Sequence, residues 1–168
     1  KENIDEIFLW IILGIILGAR VGYILFYNLD FYLNNPTSIF TLWEGGMSFH
    51  GGAAGVIIAI ALYSWRHNKP FLEISDIICS VVPIGLFFGR VANFINGELW
   101  GKVTNVPWGI VFSNAGEYPR HPSQLYEAGL EGLFLFIVLA LIILNKGLKK
   151  KGLVSGSFLF IYSSSRIF

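Results

Sequence analysis

The chain has 168 residues, 54% of them hydrophobic and only 14% charged, and its mean hydropathy is +0.62. That polar content cannot clothe a soluble domain of this length, so the composition reads as an integral membrane protein. A formal net charge of +1 says little about partners, and a single cysteine, Cys79, excludes an internal disulfide framework and a cysteine-built metal site.

The opening stretch KENIDEIF is acidic, lacks the basic start of a signal peptide and has no initiator methionine, so the chain reads as a fragment. Five segments have the length and apolarity of candidate spans: Ile7–Tyr27, Met47–Trp65, Ile74–Phe94, Leu125–Leu144 and Leu153–Phe168. The expected fold is therefore an all-α polytopic membrane protein. It has about five transmembrane helices in one domain over residues 1–168, incomplete at both ends, and a small extracytoplasmic cap. Cys79 falls in the third segment, where a buried, inert thiol is expected.

Lysine and arginine placement gives an orientation. Lys1, Arg66, Lys69 and the cluster Lys146, Lys149, Lys150 and Lys151 flank the ends expected inside the cell. Arg20, Arg90, Lys102, Arg120 and Arg166 then fall at or near the outer face. Two long connections also lie outside. Asn28–Gly46, aromatic and polar, suits an interfacial helix or re-entrant piece. Ile95–Gln124, with three prolines and two tryptophans, suits an irregular or partly β-stranded cap. Glycines recur at four-residue spacing: Gly14, Gly18 and Gly22; Gly51 and Gly55; Gly85 and Gly89; Gly152 and Gly156. These read as seams where helix backbones approach closely.

Ionisable groups within spans are costly, and three clusters stand out. In GRVANFINGELWG, Asn93 and Asn96 follow Arg90 at successive turns of a helix, spread over about a third of its circumference. Gly97 is expected to end that helix and release Glu98 to orient an arginine. Snorkelling to the interface accounts for Arg90 alone but leaves the carboxamides unexplained. In YPRHPSQLYEAGLEG, Pro119 and Pro122 stiffen the entry to the fourth segment, around Arg120 and His121. Ser123 is placed to cap a helix, and Gln124, Glu127 and Glu131 share one face of it. Glu127 is either held by the helix dipole or paired with an arginine. Glu131, deeper in the span, requires a partner. In EGGMSFHGGAAG, His50 precedes a glycine pair. It is either a proton carrier near neutral pH or a hydrogen-bonded filler. Arg166, in YSSSRIF, adds a guanidinium from the last segment, and Arg20 adds another that snorkelling alone could account for. Arginines gathered at one bundle mouth suggest an anion pocket, and at membrane depth the anion is a lipid phosphate. Asp76 and Glu73 read as helix-terminus residues without chemistry.

In this order, ARVGYILFYN, WEGGMSFHGG, GRVANFINGELWG followed by PWGIVF, RHPSQLYEA and the arginine of YSSSRIF make the chain resemble the bacterial phosphatidylglycerol–prolipoprotein diacylglyceryl transferase family, over essentially its whole length. The resemblance implies transfer of diacylglyceryl from phosphatidylglycerol to the lipobox cysteine thiol of a prolipoprotein signal peptide. A thioether forms and glycerol phosphate leaves, in the bacterial inner membrane with the site towards the outer leaflet. It implies His50, Arg90 and Arg166 as catalytic residues. For substrate binding it points to Arg90, Asn93, Glu98 and Gly101; the helical spacing of the first cluster adds Asn96, and the second cluster adds Arg120, Gln124 and Glu127. His50 corresponds to a histidine proposed as the thiol base; His121, or a thiol acidified by the arginines, are the other readings. The family ordinarily has a further span before this chain's start and an acidic, aromatic stretch after Arg166, and Ala92 stands where a glycine is usual. No cofactor, metal or nucleic-acid partner is expected. The competing classes are a membrane lipid- or anion-binding or transport protein, and a purely structural subunit. The second leaves Arg90, Asn93, Asn96 and Glu131 unexplained. The first lacks the paired repeats and broken midplane helices of many transporters.

Overall fold

The computed structural model describes residues 2–167, with side chains described for residues 5–167. Helices α1 (Glu2–Tyr27), α2 (Leu29–Asn34), α3 (Phe49–His67) and α4 (Phe71–Ile95) come first. After an irregular stretch, helix α5 runs over Ser123–Leu144 and α6 over Leu153–Ser165. Contacts divide the chain into two compact units at the Ile74–Ser75 bond.

Among the described residues, three helices are long and apolar enough to cross a bilayer: α1 from Asp5, α4 and α5. This is the pattern of a multi-pass membrane protein, but it corrects the expectation of about five spans. Helix α6 has 13 residues and a length of about 20 Å, short of the roughly 30 Å hydrocarbon core. The fifth expected segment counted Ser163–Ser165 and Arg166 as span, whereas the helix stops at Ser165. Helix α3 has 19 residues, but His50 and three glycines at one end and Arg66 and His67 at the other dilute its apolarity below that of a span. An orientation built on five alternating passes loses that support. Phe168, the end of the fifth expected segment, and Lys1, counted as a basic flank, lie outside the described residues.

In the first unit, α1 and α3 pack antiparallel along glycines. A Cβ built on Gly14 would lie 2.6 Å from the Gly55 carbonyl oxygen, and one on Gly22 would lie 2.7 Å from Gly51 Cα. Gly18 sits equally close to Gly51 and Gly55. Here the seam exists because side chains are missing on both helices. At the far end of the pair His67 Nε2 lies 3.0 Å from Glu6 Oε1, and the His67 ring stacks on Tyr63 at 4.3 Å. The outward side chains of α1, among them Phe8, Leu13, Leu17 and Leu25, are apolar and exposed, as lipid contact requires. Residues 28–46 form α2 and two 3₁₀ turns, Pro36–Phe40 and Leu42–Glu44. Gly45 and Gly46 close the loop with φ of +85° and +80°, which side-chain-bearing residues rarely adopt.

In the second unit α4 from Ser75, α5 and α6 run up, down and up. Leu135, Leu139 and Val154 are fully buried between α5 and α6, with Phe158, Ile161 and Tyr162 packed against them. Gly132 lets α5 approach α4, because a Cβ there would lie 2.6 Å from Phe87 Cβ. The middle of α5, Ala128–Phe134, is π-helical, between α-helical Ser123–Glu127 and Leu135–Leu144. The other expected seams are absent among the described residues: a Cβ on Gly85, Gly89 or Gly156 would meet nothing within 4 Å. Gly152 serves instead as the left-handed residue that opens α6, at φ +84°.

Asp76 also differs from its expected role as a residue of its own helix terminus. It is 1% exposed. Its Oδ2 accepts the Gly152 N–H at 2.7 Å, and its Oδ1 accepts the Ser155 N–H and hydroxyl, each at 2.7 Å. A carboxylate on α4 thus caps the N-terminus of α6, where the helix dipole favours negative charge.

Residues 96–122 form an irregular cap. Among the described residues it contains only isolated bridges, pairing Arg120 with Val103 and Ile110.

Candidate active site

The polar cluster of the second unit is assembled from three helices. Helix α4 delivers Arg90 one turn before it ends at Ile95, where Gly97 turns the chain away at φ +66°. The first turns of α5 deliver Glu127 and Glu131, four residues apart and therefore on one face. Arg166 lies one residue past α6.

Arg90 Nε lies 2.9 Å from Glu127 Oε2, and Arg90 Nη2 lies 3.7 Å from Glu131 Oε2. Arg166 Nη1 lies 3.1 Å from Glu127 Oε2 and 3.2 Å from Glu131 Oε1, to which it donates a hydrogen bond. Two guanidiniums and two carboxylates form one nearly neutral group. Glu131 is the deepest member at 1% exposure, against 27% for the Glu127 side chain and 49% for Arg166. A carboxylate this deep is costly without partners, and the two arginines supply them. In return, the hydrogen bond that Arg166 donates to Glu131 raises the Arg166 pKa, an effect opposed by desolvation and aided by the charges of Glu131 and Glu127. Glu131 Oε2 and Glu127 Oε2 are both enclosed without a well-aligned hydrogen-bond donor.

The remaining candidates divide in two. Asn93 Nδ2 donates to Glu98 Oε2 at 3.4 Å, so the carboxamide, not an arginine, meets Glu98. Asn96 is exposed beyond the helix end. Gln124 is fully buried; its Nε2 donates to the Glu98 carbonyl and its Oε1 has no hydrogen-bond partner. Ser123 does not cap α5: Pro122 occupies the cap position, and the Ser123 hydroxyl donates to the Leu99 carbonyl at 2.9 Å. Gly101 donates its N–H to the His121 carbonyl at 2.9 Å and lies so close that a Cβ would sit 2.9 Å from His121 Cβ. Arg120 donates to the carbonyls of Ala115 and Gly101, and its guanidinium lies 5.8 Å from the centroid of the Trp100 ring. Both hold the cap together.

Trp108, read from the sequence only as part of the cap, and Tyr126, not among the candidate site residues, join this region. Trp108 Nε1 donates to Tyr126 Oη at 2.7 Å, and His121 Nδ1 lies 3.2 Å from the same oxygen. Nothing local marked Tyr126, because its partners are brought to it by the folded cap.

In the first unit, His50 is the second residue of α3 and is exposed, its ring edge-on to Phe49 at 5.8 Å. Ser48 caps that helix by accepting the Gly51 N–H at 3.2 Å. Arg20 is 4% exposed and donates to the carbonyls of Ser38, Ile39, Thr41, Gly45 and Gly46, with the Tyr32 ring 5.1 Å away. It has no unused donor for an anion.

A family model described as prolipoprotein diacylglyceryl transferase matches residues 1–168. A phosphatidylglycerol–prolipoprotein diacylglyceryl transferase of Rhodopseudomonas palustris is 58% identical over 168 residues, covering 99% of this chain and 59% of the relative. The namesake of Nitrobacter hamburgensis is 55% identical over 98% of this chain and 57% of its own. That of Nitratidesulfovibrio vulgaris (strain DP4) is 53% identical over 98% and 62%. The chain therefore spans about 60% of the length of the curated relatives it matches. A match along its entire length, at better than half identity, shows that the chain belongs to the prolipoprotein diacylglyceryl transferase family.

Proposed function

We propose that this chain carries the phosphate-holding part of an enzyme that moves the diacylglyceryl group of phosphatidylglycerol to the lipobox cysteine thiol of a prolipoprotein signal peptide. The observation that supports it is the meeting of Arg90 and Arg166, 76 positions apart, on one pair of carboxylates. In the reaction a thiol sulfur attacks the glycerol carbon that bears the phosphate. The S–C bond forms, the C–O bond breaks, and the electron pair leaves on glycerol phosphate. The thiol proton goes to a base, and His50 is that base in this reading. Guanidiniums aimed at the departing phosphate stabilise the charge that grows there, and such preorganised electrostatics is usually the largest catalytic effect. Arg90 and Arg166 supply it in planar, bidentate form. Asn93, Asn96, Glu98, Gly101, Arg120, Gln124 and Glu127 shape the headgroup and peptide side. No cofactor is needed for the electron balance.

The proposed setting is the bacterial plasma membrane, with the site towards the outer leaflet. Helix α5 runs from Glu127 at the cluster to Leu144, next to the lysine-rich turn 146–151. Such turns stay on the cytoplasmic side, which favours the outer leaflet for the opposite end. In the full-length protein, in detergent with phosphatidylglycerol and a lipobox peptide, mass spectrometry should find the thioether-linked diacylglyceryl adduct. Arg90→Ala should lower its rate by about 10²- to 10³-fold with the helices intact. An undiminished rate removes Arg90 from the mechanism, and phosphate flux across vesicles without adduct favours transport.

A further inference from the structure

The two carboxylates of the cluster are not equivalent. Glu131 is 1% exposed, and its Oε1 accepts a directed hydrogen bond from Arg166. Glu127 reaches both arginines through a single atom, Oε2, at 2.9 and 3.1 Å, yet that oxygen lies out of line for a hydrogen bond to either. Its side chain is 27% exposed, and it contacts Arg166 on the half-exposed side of the group. Glu127 thus contributes charge without the directionality that makes an arginine–carboxylate pair strong. A phosphodiester offers two oxygens to the same forks and the same negative charge.

We propose that Glu127 is an exchangeable counter-ion. It holds the two guanidiniums in place when no phosphate occupies them and yields when an anionic phospholipid headgroup arrives, while Glu131 stays as their fixed anchor. The swap keeps the group near neutral before and after binding, so the lipid phosphate enters at little cost in unbalanced buried charge. It also sets a selectivity, because a ligand without a phosphate anion cannot displace Glu127 and leaves the arginines closed. This inference rests on the phosphatidylglycerol reading above and adds a role in which Glu127 opposes binding.

The test uses the full-length protein in dodecyl maltoside micelles, titrated with short-chain phosphatidylglycerol and, separately, with glycerol phosphate. Glu127→Gln removes the competing charge and should tighten phosphatidylglycerol about fivefold, with KM falling by a similar factor. Glu127→Asp, one methylene shorter, should tighten it less. Glu131→Gln should weaken it, because the arginines lose their anchor. Damage to the fold weakens binding and cannot produce the first result. Tightening of glycerol phosphate as well assigns the exchange to the phosphate alone; tightening of the lipid only assigns it to phosphate plus chains, and both support the exchange. Unchanged or weaker binding in Glu127→Gln and Glu127→Asp, with Arg90→Ala still weakening it, overturns the exchange and leaves the site reading standing. Phosphatidylglycerol binding indifferent to Arg90→Ala overturns the site reading itself.

Discussion

Arg20 in the first unit and Arg90 in the second are both arginines near the end of a long apolar helix, and they are satisfied in opposite ways. Arg20 is 4% exposed and its guanidinium is surrounded by five backbone carbonyls of the 28–46 loop. Those acceptors are main-chain atoms, whose displacement would require the loop itself to move. Arg90 faces side-chain carboxylates, one of them partly exposed and poorly aligned. A guanidinium whose donors all go to main chain is a staple; one balanced by side-chain carboxylates is the kind the proposed phosphate exchange requires. Burial and formal charge do not separate the two cases, and the nature of the acceptor does.

The largest effect that could break this contrast is on rate. Arg90→Lys keeps the charge but loses the planar fork, so it should cost about as much in product formation as removal of one oxyanion donor, 10²-fold or more, while thermal unfolding in detergent stays near that of the parent. Arg20→Lys should do the reverse. A lysine cannot reach five carbonyls in a plane, and leaving several of them unpaired should lower unfolding stability by about 3 kcal/mol and expose residues 28–46 to protease. Loss of activity with intact stability at Arg20 would erase the distinction.

Parts of this were legible in the sequence and parts were not. The α1–α3 seam could be read because Gly14, Gly18, Gly22, Gly51 and Gly55 all carry the same local spacing. The identical spacing at Gly85 and Gly89 corresponds to no packing in the described residues, because a repeat of small residues permits contact without supplying a partner. The demand of Glu131 for a counter-ion was visible from its depth in an apolar stretch. That the partners are Arg90 and Arg166 depends on three helices returning to one end of the unit. The number of spans failed for a related reason: segment lengths do not show that the helix from Leu153 stops at Ser165 after 13 residues, and the polar ends of α3 dilute its apolarity below that of a span. The work of Arg20 was hidden, since each of its acceptors is a backbone oxygen and leaves no mark in residue type.

Asp76 extends the contrast from arginines to carboxylates. Its two oxygens receive three donors, two of them N–H groups at the start of α6, whereas Glu131 keeps one oxygen unmatched. Asp76→Asn turns one acceptor oxygen into a donor facing an N–H. It should cost about 2 kcal/mol of stability, with faster amide exchange at Gly152 and Ser155 and no change in phosphatidylglycerol KM. A change in KM without a loss of stability would mean that this carboxylate, too, belongs to the chemistry.

The smallest effect belongs to the unpartnered glycines. A methyl group on Gly18 must push against the backbone of Gly51 and Gly55, so Gly18→Ala should separate α1 from α3 and lower stability. A methyl group on Gly85 meets nothing within 4 Å and removes only the backbone freedom of a mid-helix glycine. Gly85→Ala should therefore stabilise α4 by no more than about 1 kcal/mol, the gap between the two residues in helix propensity. Thermal unfolding of the two variants side by side separates spacing from packing. Equal losses at Gly18 and Gly85 would mean that another surface closes on this face of α4 in the membrane, and the four-residue repeat would then mark a second seam after all.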